Sequence, residues 1–201
     1  LIPSNMFAVV ALGYLEEMER EIFHNEELAE RAKALKEEIQ RAIETIGKTF
    51  TEEFGMVYAY ETDGYGMYNL MDDANVPSLL AMSYLGYEGE PEVSSNTRRF
   101  LLSEANPFYF KGDKAAGIGS PHTPSNYIWH IAMAIQGLTS ETREEKLEIL
   151  KNMAATTGGK GVMHEGFCCE DDSKFTRAWF SWANAMYAEL FLDYMGYQLE
   201  K

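Results

Sequence analysis

A glutamate at position 165 stands in a segment whose residue types could perform acid–base chemistry. The segment covers residues 161–190 and reads "GVMHEGFCCEDDSKFTRAWFSWANAMYAEL", with Glu165 between His164 and Gly166. Glycines before and after the pair allow another molecule to approach the backbone closely. A carboxylate in such a place can accept or donate a proton in a reaction. The alternative is a solvated loop ahead of a core helix, and the residues alone leave both interpretations open.

Three polar residues, Asp72, Asp73 and Asn75, precede another apolar stretch. One such residue would be enough to cap a helix, so the group of three indicates a further role in binding. The two carboxylate oxygens of Asp can accept hydrogen bonds from sugar hydroxyls. A Ca²⁺ site is the competing interpretation, although the spacing of an EF-hand is missing.

His122 is the one residue of "GIGSPHTPSN" (residues 117–126) that turn chemistry does not require. Its glycines permit a tight backbone, and Thr123 with Pro124 suits the start of a helix. His122 could therefore face a ligand or bond the local backbone. His130, by contrast, lies within an apolar stretch and is predicted to be a core histidine.

Charged residues also precede the last predicted helix. Asp171 and Asp172 suit a helix start, where carboxylates offset the dipole. Arg177 could pair with either of them and hold the loop closed. No Ser-His-Asp elbow, phosphate loop or Cys/His metal cluster is present, so no motif in the sequence calls for a cofactor.

The elements that must position these residues are predicted to be helices. Apolar periodicity predicts seven of them, over residues 5–23, 26–47, 77–87, 92–104, 127–138, 141–155 and 178–195. Residues 54–68 are predicted to form a short strand or an extended loop. Helices that are apolar on all sides alternate with helices that carry a single apolar stripe. This alternation predicts an all-α ring of helical hairpins, with the candidate residues in the loops at one rim.

Composition excludes several classes of protein. The 201 residues are 46% hydrophobic and 13% aromatic, which is typical of a folded domain. A net charge of −15 disfavours nucleic acid as a partner, because phosphate binding depends on Lys and Arg. No apolar run reaches the roughly 18 residues of a membrane span. The two cysteines, Cys168 and Cys169, are adjacent and cannot close a loop, so we expect a reducing, cytoplasmic location. The first residues lack the basic region that begins a signal peptide, so we expect none.

Taken together, seven segments resemble glycoside hydrolase family 125, the exo-acting α-1,6-mannosidases with an (α/α)6 barrel. The segments are "LIPSNMFAVVAL", "MDDANVPSLLAMSYLGY", "NTRRFLLSEANPFYFKG", "GIGSPHTPSNYIW", "QGLTS", "HEGF" and "DDSKFTRAWFSWAN". They extend over nearly the whole chain in order. In two places the sequence departs from the family pattern, which has Ser where Gly166 stands and Pro where His130 stands.

The resemblance implies inverting hydrolysis of terminal α-1,6-linked mannose without a metal. It implies that Glu165 is the general base. The residues implied to contact the sugar are Asp72, Asp73, Asn75, His122, His164 and Arg177. The family's general acid is an Asp upstream of the "IPSNMF" helix, so this chain is expected to supply only the C-terminal half of the barrel.

The expected organisation is therefore a single (α/α) barrel domain over residues 1–201, truncated at its N-terminus and inactive or nearly inactive alone. Its first helix would be covered by the missing half of the barrel or by another chain, and its substrate would be a mannose-containing glycan. Two rivals stay open at this point. One is a Ca²⁺-dependent glycosidase using Asp72, Asp73 and Asp172, and the other is a non-catalytic helical module that binds glycans or a partner protein.

Overall fold

The computed structural model describes residues 1–197, which contain six α-helices and nine short strands. The helices are α1 (Ile2–Glu21), α2 (Glu26–Ile46), α3 (Pro91–Leu101), α4 (His130–Leu138), α5 (Arg143–Ala155) and α6 (Ser181–Tyr194). The strands are β1 (Lys48–Thr51), β2 (Gly55–Tyr58), β3 (Glu61–Thr62), β4 (Tyr68–Asn69), β5 (Tyr109–Lys111), β6 (Ala116–Ile118), β7 (Tyr127–Trp129), β8 (Gly166–Cys168) and β9 (Asp171–Thr176).

The all-α prediction, an (α/α)6 barrel of helical hairpins, is wrong as a description of this chain. The strands form four small antiparallel sheets, with the orders β1-β2, β3-β4, β5-β6 and β7-β8-β9. Only the extended segment expected within residues 54–68 is confirmed, by β2, β3 and the start of β4. The other strands lie in loops whose Gly, Asp and Ser residues carry no helical periodicity and no clear alternation, so no local pattern predicts them.

The helix predicted over residues 77–87 is also absent, because successive turns replace it. Met82 N–H donates to the Leu79 carbonyl at 3.3 Å, and Gly86 N–H donates to the Ser83 carbonyl at 3.1 Å. These two bonds connect residues three apart, as in turns. Leu85 N–H does bond the Ala81 carbonyl, four residues back, at 2.9 Å, but no helix forms over these residues. Gly86 has φ +90°, a conformation that ends any helical continuation.

The first of two compact units consists of residues 1–70 and 77–99. Its main feature is the antiparallel hairpin of α1 and α2. Asn25 caps α2 by accepting a hydrogen bond from Leu28 N–H at 3.2 Å. Met6 on α1 and Ile43 on α2 are fully or almost fully buried. The apolar residues of the two helices therefore supply the centre of this unit.

A glutamate inside the first unit receives hydrogen bonds from two buried tyrosines. The hydroxyls of Tyr58 and Tyr87 donate to Glu44 Oε1 at 3.0 and 3.1 Å. Lys48 Nζ lies 2.7 Å from Glu44 Oε2 and 2.9 Å from Glu90 Oε2. Tyr58 Oη also accepts from Glu90 N–H at 3.1 Å. This network ties the end of α2 to β2 and to the segment that leads into α3.

Within the described residues, the second unit consists of residues 71–76 and 100–197. Its helices α4, α5 and α6 pack against one another. Of the β7-β8-β9 sheet, β7 directly precedes α4, while β8 and β9 lie between α5 and α6 in the chain. Gly137 lies where α4 meets α6, because a Cβ there would come within 2.6 Å of Leu190. Ile131, Met133 and Leu190 are almost completely buried, so this helical core supports the sheet that holds the candidate residues.

Part of the first helix is exposed in this chain. Phe7, Tyr14 and Met18 on α1 keep 44%, 57% and 43% of their surface accessible. A covering for this helix, from further sequence or from another chain, stays a prediction, as does the description of residues 1–201 as one domain. Within residues 1–197, no helix is both long enough and apolar enough to cross a membrane.

Candidate active site

Glu165 lies immediately before β8, the central strand of the three-stranded sheet. β8 pairs with β7 on one side and with β9 on the other. Glu165 N–H donates to the Thr176 carbonyl at 3.3 Å, and the next amide, of Gly166, donates to Thr176 Oγ1 at 3.1 Å. The Glu165 side chain is only 15% exposed. The sheet therefore fixes the backbone of this carboxylate at a shielded position.

Arg177 forms an ion pair with Glu165. Its Nε lies 3.0 Å from Glu165 Oε1, while 63% of the arginine side chain remains exposed. Arg177 has φ +47°, in the left-handed region that side-chain-bearing residues rarely adopt. Such conformations cost free energy and are enriched at functional sites. The backbone strain at Arg177 thus coincides with its contact to the candidate base.

The two aspartates expected near Arg177 take other partners. Asp171 lies 3.2 Å from Lys174, and Asp172 lies 3.3 Å from Lys114. Both belong to β9 and not to the start of a helix, so the capping interpretation is wrong. The expected ion pair of Arg177 with either aspartate is replaced by the pair with Glu165.

His164 precedes the candidate base and is completely buried. Its Nδ1 lies 2.8 Å from the Ala178 carbonyl and its Nε2 lies 2.9 Å from the Thr157 carbonyl. Both ring nitrogens therefore face backbone carbonyl oxygens, which only accept hydrogen bonds. The ring also stacks on Phe175, with centroids 3.9 Å apart. A sugar contact by His164 stays a prediction, since this geometry uses both ring nitrogens to anchor the protein backbone.

The segment 71–76 contributes a second group of polar residues to the same unit. Asp73 Oδ1 accepts from the backbone N–H of Asn75 at 3.1 Å and from its side-chain amide at 3.3 Å. Asp72 is completely buried, and its N–H donates to Asn106 Oδ1 at 3.3 Å. Asn106 is itself buried and also bonds the Leu101 carbonyl, so it anchors this segment.

His122 lies next to this second group. Its Nε2 is 3.8 Å from Asp73 Oδ2, and 69% of its side chain is exposed. Ala74 N–H donates to the Gly119 carbonyl at 3.0 Å, which ties the segment 71–76 to the loop that carries His122. The structure therefore brings Asp73, Asn75 and His122 together.

Trp129 contacts both the His122 loop and the Glu165 segment. Its Nε1 donates to Thr123 Oγ1 at 2.9 Å. On the other side, a Cβ on Gly166 would lie 3.0 Å from the indole ring, so the glycine permits this close approach. Sequence reasoning missed Trp129 and Asn106. The Asn106–Pro107 pair, a common turn signal, could have identified the latter.

The arrangement consists of a shielded carboxylate paired with an arginine, and of an aspartate group beside an exposed histidine. Carboxylates and imidazoles of this kind can bind hydroxyl groups and transfer protons. Within residues 1–197, no group of three or more His, Cys, Asp or Glu residues could hold a metal ion. Asp172 is paired with Lys114 instead of joining Asp72 and Asp73 in the calcium site of the rival interpretation.

Comparison with known sequences supports a glycosidase relationship. Residues 1–192 match the sequence profile of the metal-independent alpha-mannosidases (GH125). The meiotically up-regulated gene 157 protein of Schizosaccharomyces pombe is 43% identical over 194 residues, which are 96% of this chain and 38% of that protein.

Solved structures give a similar result. A metal-independent alpha-mannosidase of Streptococcus pneumoniae, in a non-productive complex with alpha-1,6-mannobiose, has a TM-score of 0.95 and 47% identity. The match covers 98% of this chain and 47% of that one. A bacterial glucoamylase complexed with acarbose has a TM-score of 0.69 at 14% identity, over 96% of this chain and 33% of its own, and shares the fold alone. The chain therefore spans less than half the length of these relatives.

Proposed function

The chain belongs to the family of metal-independent alpha-mannosidases, glycoside hydrolase family 125, and on this premise we propose that it forms part of an exo-acting α-1,6-mannosidase. The family match extends over residues 1–192. The solved relative from Streptococcus pneumoniae was obtained with alpha-1,6-mannobiose, which supports a terminal mannose as the sugar removed.

Glu165 is the general base of the proposed reaction. An inverting glycosidase uses one carboxylate to take a proton from water while the water oxygen attacks the anomeric carbon. The carbon's bond to the leaving oxygen breaks as a second carboxyl group, roughly 6.5–9.5 Å away, donates a proton to that oxygen. The observation that carries the assignment is the shielded position of Glu165, whose Oε1 lies 3.0 Å from Arg177. This pair orients the carboxylate and leaves its other oxygen to accept from water.

The general acid is proposed to come from the portion of the enzyme that this chain does not span, since the chain covers 47% of the Streptococcus pneumoniae relative. The 201-residue chain alone is then expected to release little or no mannose, while the complete gene product is active. Turnover by the isolated chain at the rate of the complete protein would contradict this division of the catalytic pair.

Sugar binding is assigned to the aspartate group. Asp73 and Asn75 present carboxylate and amide groups, and His122 lies exposed beside them. These groups can exchange hydrogen bonds with the hydroxyls of a sugar ring. Asp72 and His164 are completely buried, so their part in binding is proposed to be the support of neighbouring residues. The proposed substrates are mannose-containing glycans, and the proposed location of the enzyme is the cytoplasm.

The experiment is hydrolysis of α-1,6-mannobiose by the complete gene product, followed by ¹H NMR in the first minutes. Inversion predicts that β-mannose appears first and that α-mannose forms afterwards by mutarotation. The rate should not change after treatment with EDTA. Release of α-mannose first would contradict the inverting mechanism, and binding without hydrolysis would favour a non-catalytic glycan-binding protein. Loss of activity on chelation would favour the calcium-dependent alternative.

A further inference from the structure

His130 contacts the backbone of His164, the residue before the candidate base, and has no part in the proposed reaction. It is the first residue of α4 and is completely buried. The residue before it, Trp129, pairs with Gly166 across the β7-β8 ladder. One ring nitrogen, Nδ1, lies 3.0 Å from the backbone N of His164. The other, Nε2, lies 3.1 Å from Thr156 Oγ1.

The hydrogen-bond partners of His130 define its protons. A backbone N–H can only donate, so His164 N–H requires an unprotonated Nδ1 as acceptor. Thr156 Oγ1 has a single proton, which it donates to the Asn152 carbonyl at 2.8 Å. The hydroxyl therefore accepts from His130, and Nε2 carries the ring proton. Nδ1 also lies 3.2 Å from the His164 carbonyl, to which only a protonated Nδ1 could donate. With the proton of a neutral ring on Nε2, Nδ1 is left to accept from the His164 N–H. Burial favours the same state, since it lowers the pKa of His130 to about 4.

The His130 bond completes the anchoring of the backbone around Glu165. On the C-terminal side, Glu165 N–H and Gly166 N–H both bond Thr176. On the N-terminal side, the His164 ring is held by the carbonyls of Ala178 and Thr157. The remaining donor, the backbone N–H of His164, is satisfied by His130. Without that acceptor a buried donor loses its partner, and the peptide would shift to recover one.

We propose that His130 is a positioning residue: its unprotonated Nδ1 accepts from His164 N–H and thereby fixes the carboxylate of Glu165 at its working position. His130 itself touches no substrate. This inference rests on the proposed function of Glu165 as the base. A displacement of about 1 Å at a reacting group can reduce a rate by roughly 100-fold. Loss of the Nδ1 acceptor should therefore lower kcat more than it changes KM.

Two substitutions separate this role from simple packing. His130→Asn places its amide oxygen near the position of Nδ1, so it can still accept from His164 N–H. His130→Gln reaches towards Thr156 instead and leaves the His164 amide without its acceptor. Both replace a buried ring by an amide and should lower Tm. Ile135→Val, a buried position farther along α4, is the packing control and should leave kcat unchanged.

The test measures kcat, KM and Tm on α-1,6-mannobiose for these variants of the complete gene product, well below the lowest Tm. We expect His130→Gln to lose about 10- to 100-fold in kcat with KM within about threefold, and His130→Asn to retain kcat within about threefold. Equal losses in the two variants, or wild-type kcat in His130→Gln, would overturn the proposal. Failure of the wild-type protein to hydrolyse the disaccharide would instead overturn the proposed function.

Nuclear magnetic resonance tests the same bond without turnover. The ¹⁵N shifts of His130 should show an unprotonated Nδ1 and a protonated Nε2. Amide exchange at His164 should accelerate in His130→Gln and stay slow in His130→Asn. A protonated Nδ1, or exchange that is unchanged in His130→Gln, would overturn the positioning role whether or not the enzyme is active.

Discussion

Arg177 Nε lies 3.0 Å from Glu165 Oε1, and the arginine makes this contact from a left-handed backbone conformation with φ +47°. The strain and the ion pair occur at the same residue. A glycine would adopt this backbone without strain but would have no guanidinium to offer. We therefore predict that the contact of this arginine with Glu165 serves activity rather than stability.

Substitution at Arg177 should separate stability from activity. Arg177→Gly and Arg177→Ala both remove the guanidinium, so we expect each to lower kcat/KM by about 10-fold or more. Only glycine relieves the left-handed backbone, so Arg177→Gly should be about 1 kcal/mol more stable than Arg177→Ala in urea unfolding. Activity close to wild type in both variants would remove Arg177 from the site.

Asp73 should matter for binding more than for turnover. Asp73→Asn keeps an oxygen for the turn with Asn75 but removes the charge beside His122, so we expect KM to rise by about 10-fold with a smaller change in kcat. Asp63→Asn is the matched control, because Asp63 Oδ1 likewise accepts two N–H groups in a turn, the backbone amides of Tyr65 and Met67, at an exposed position. If both variants bind α-1,6-mannobiose as wild type does, Asp73 does not contact the sugar.

The buried neutral His130 gives folding stability a defined dependence on pH. Its pKa is about 4 in the folded protein because burial disfavours the charged ring, and it is about 6.5 in the unfolded chain. Between these values the unfolded state binds more protons than the folded state. The contribution of the neutral ring to the free energy of unfolding is therefore fully present above about pH 6.5 and declines as the pH falls towards 4. The total decrease in this free energy is on the order of 3 kcal/mol.

Urea unfolding at pH 7 and pH 5 checks this dependence. The fall in stability between the two values should be smaller in His130→Asn than in wild type, because the variant has no imidazole to protonate at this position. An identical fall in both proteins would show that His130 is not the group responsible.

The tyrosine network of the first unit predicts a graded loss of stability. Tyr58→Phe removes a donor to Glu44 and an acceptor for Glu90 N–H, so we expect a loss of about 2 kcal/mol. Tyr87→Phe removes one donor and should cost about 1 kcal/mol. Tyr14→Phe, at a side chain that is largely exposed, should be neutral. Equal changes in the free energy of unfolding for the three variants would show that these hydrogen bonds do not stabilise the fold.

Much of the helical part of the fold could be predicted from the sequence. The predicted helices over residues 26–47, 92–104 and 141–155 coincide closely with α2, α3 and α5. The stripe that predicted α2 has charged residues between its apolar positions, and Asn25 supplies the expected type of cap. Long periodic segments carry their signal locally, which is why they were found.

The strands and the partners of charged side chains could not be predicted in the same way. β8 and β9 are held by pairing between residues up to ten positions apart and by contact with β7, none of which appears in a local pattern. Arg177 lies six residues from Asp171, and sequence proximity favoured that pair. The positive φ of Arg177 and the turn into α6 direct its guanidinium to Glu165 instead.

The burial of His130 could be predicted from the sequence, but its hydrogen-bond partners could not. The sequence predicted that His130 is a core residue, and its complete burial confirms this. Its bond to His164 N–H joins residues 34 positions apart and is visible only in the fold. The assignment of the site residues themselves, including Glu165 as the base, stays a prediction.

The most direct measurement is the rate of α-1,6-mannobiose hydrolysis by Glu165→Gln in the complete gene product. Glutamine keeps the size of the side chain but cannot accept a proton from water, so kcat should fall by roughly 10²–10⁴-fold while the disaccharide still binds. Glu170→Gln, an exposed glutamate five residues along that bonds Asp113 N–H, is the control and should retain activity. A loss of less than about tenfold in Glu165→Gln would contradict the assignment of Glu165 as the base.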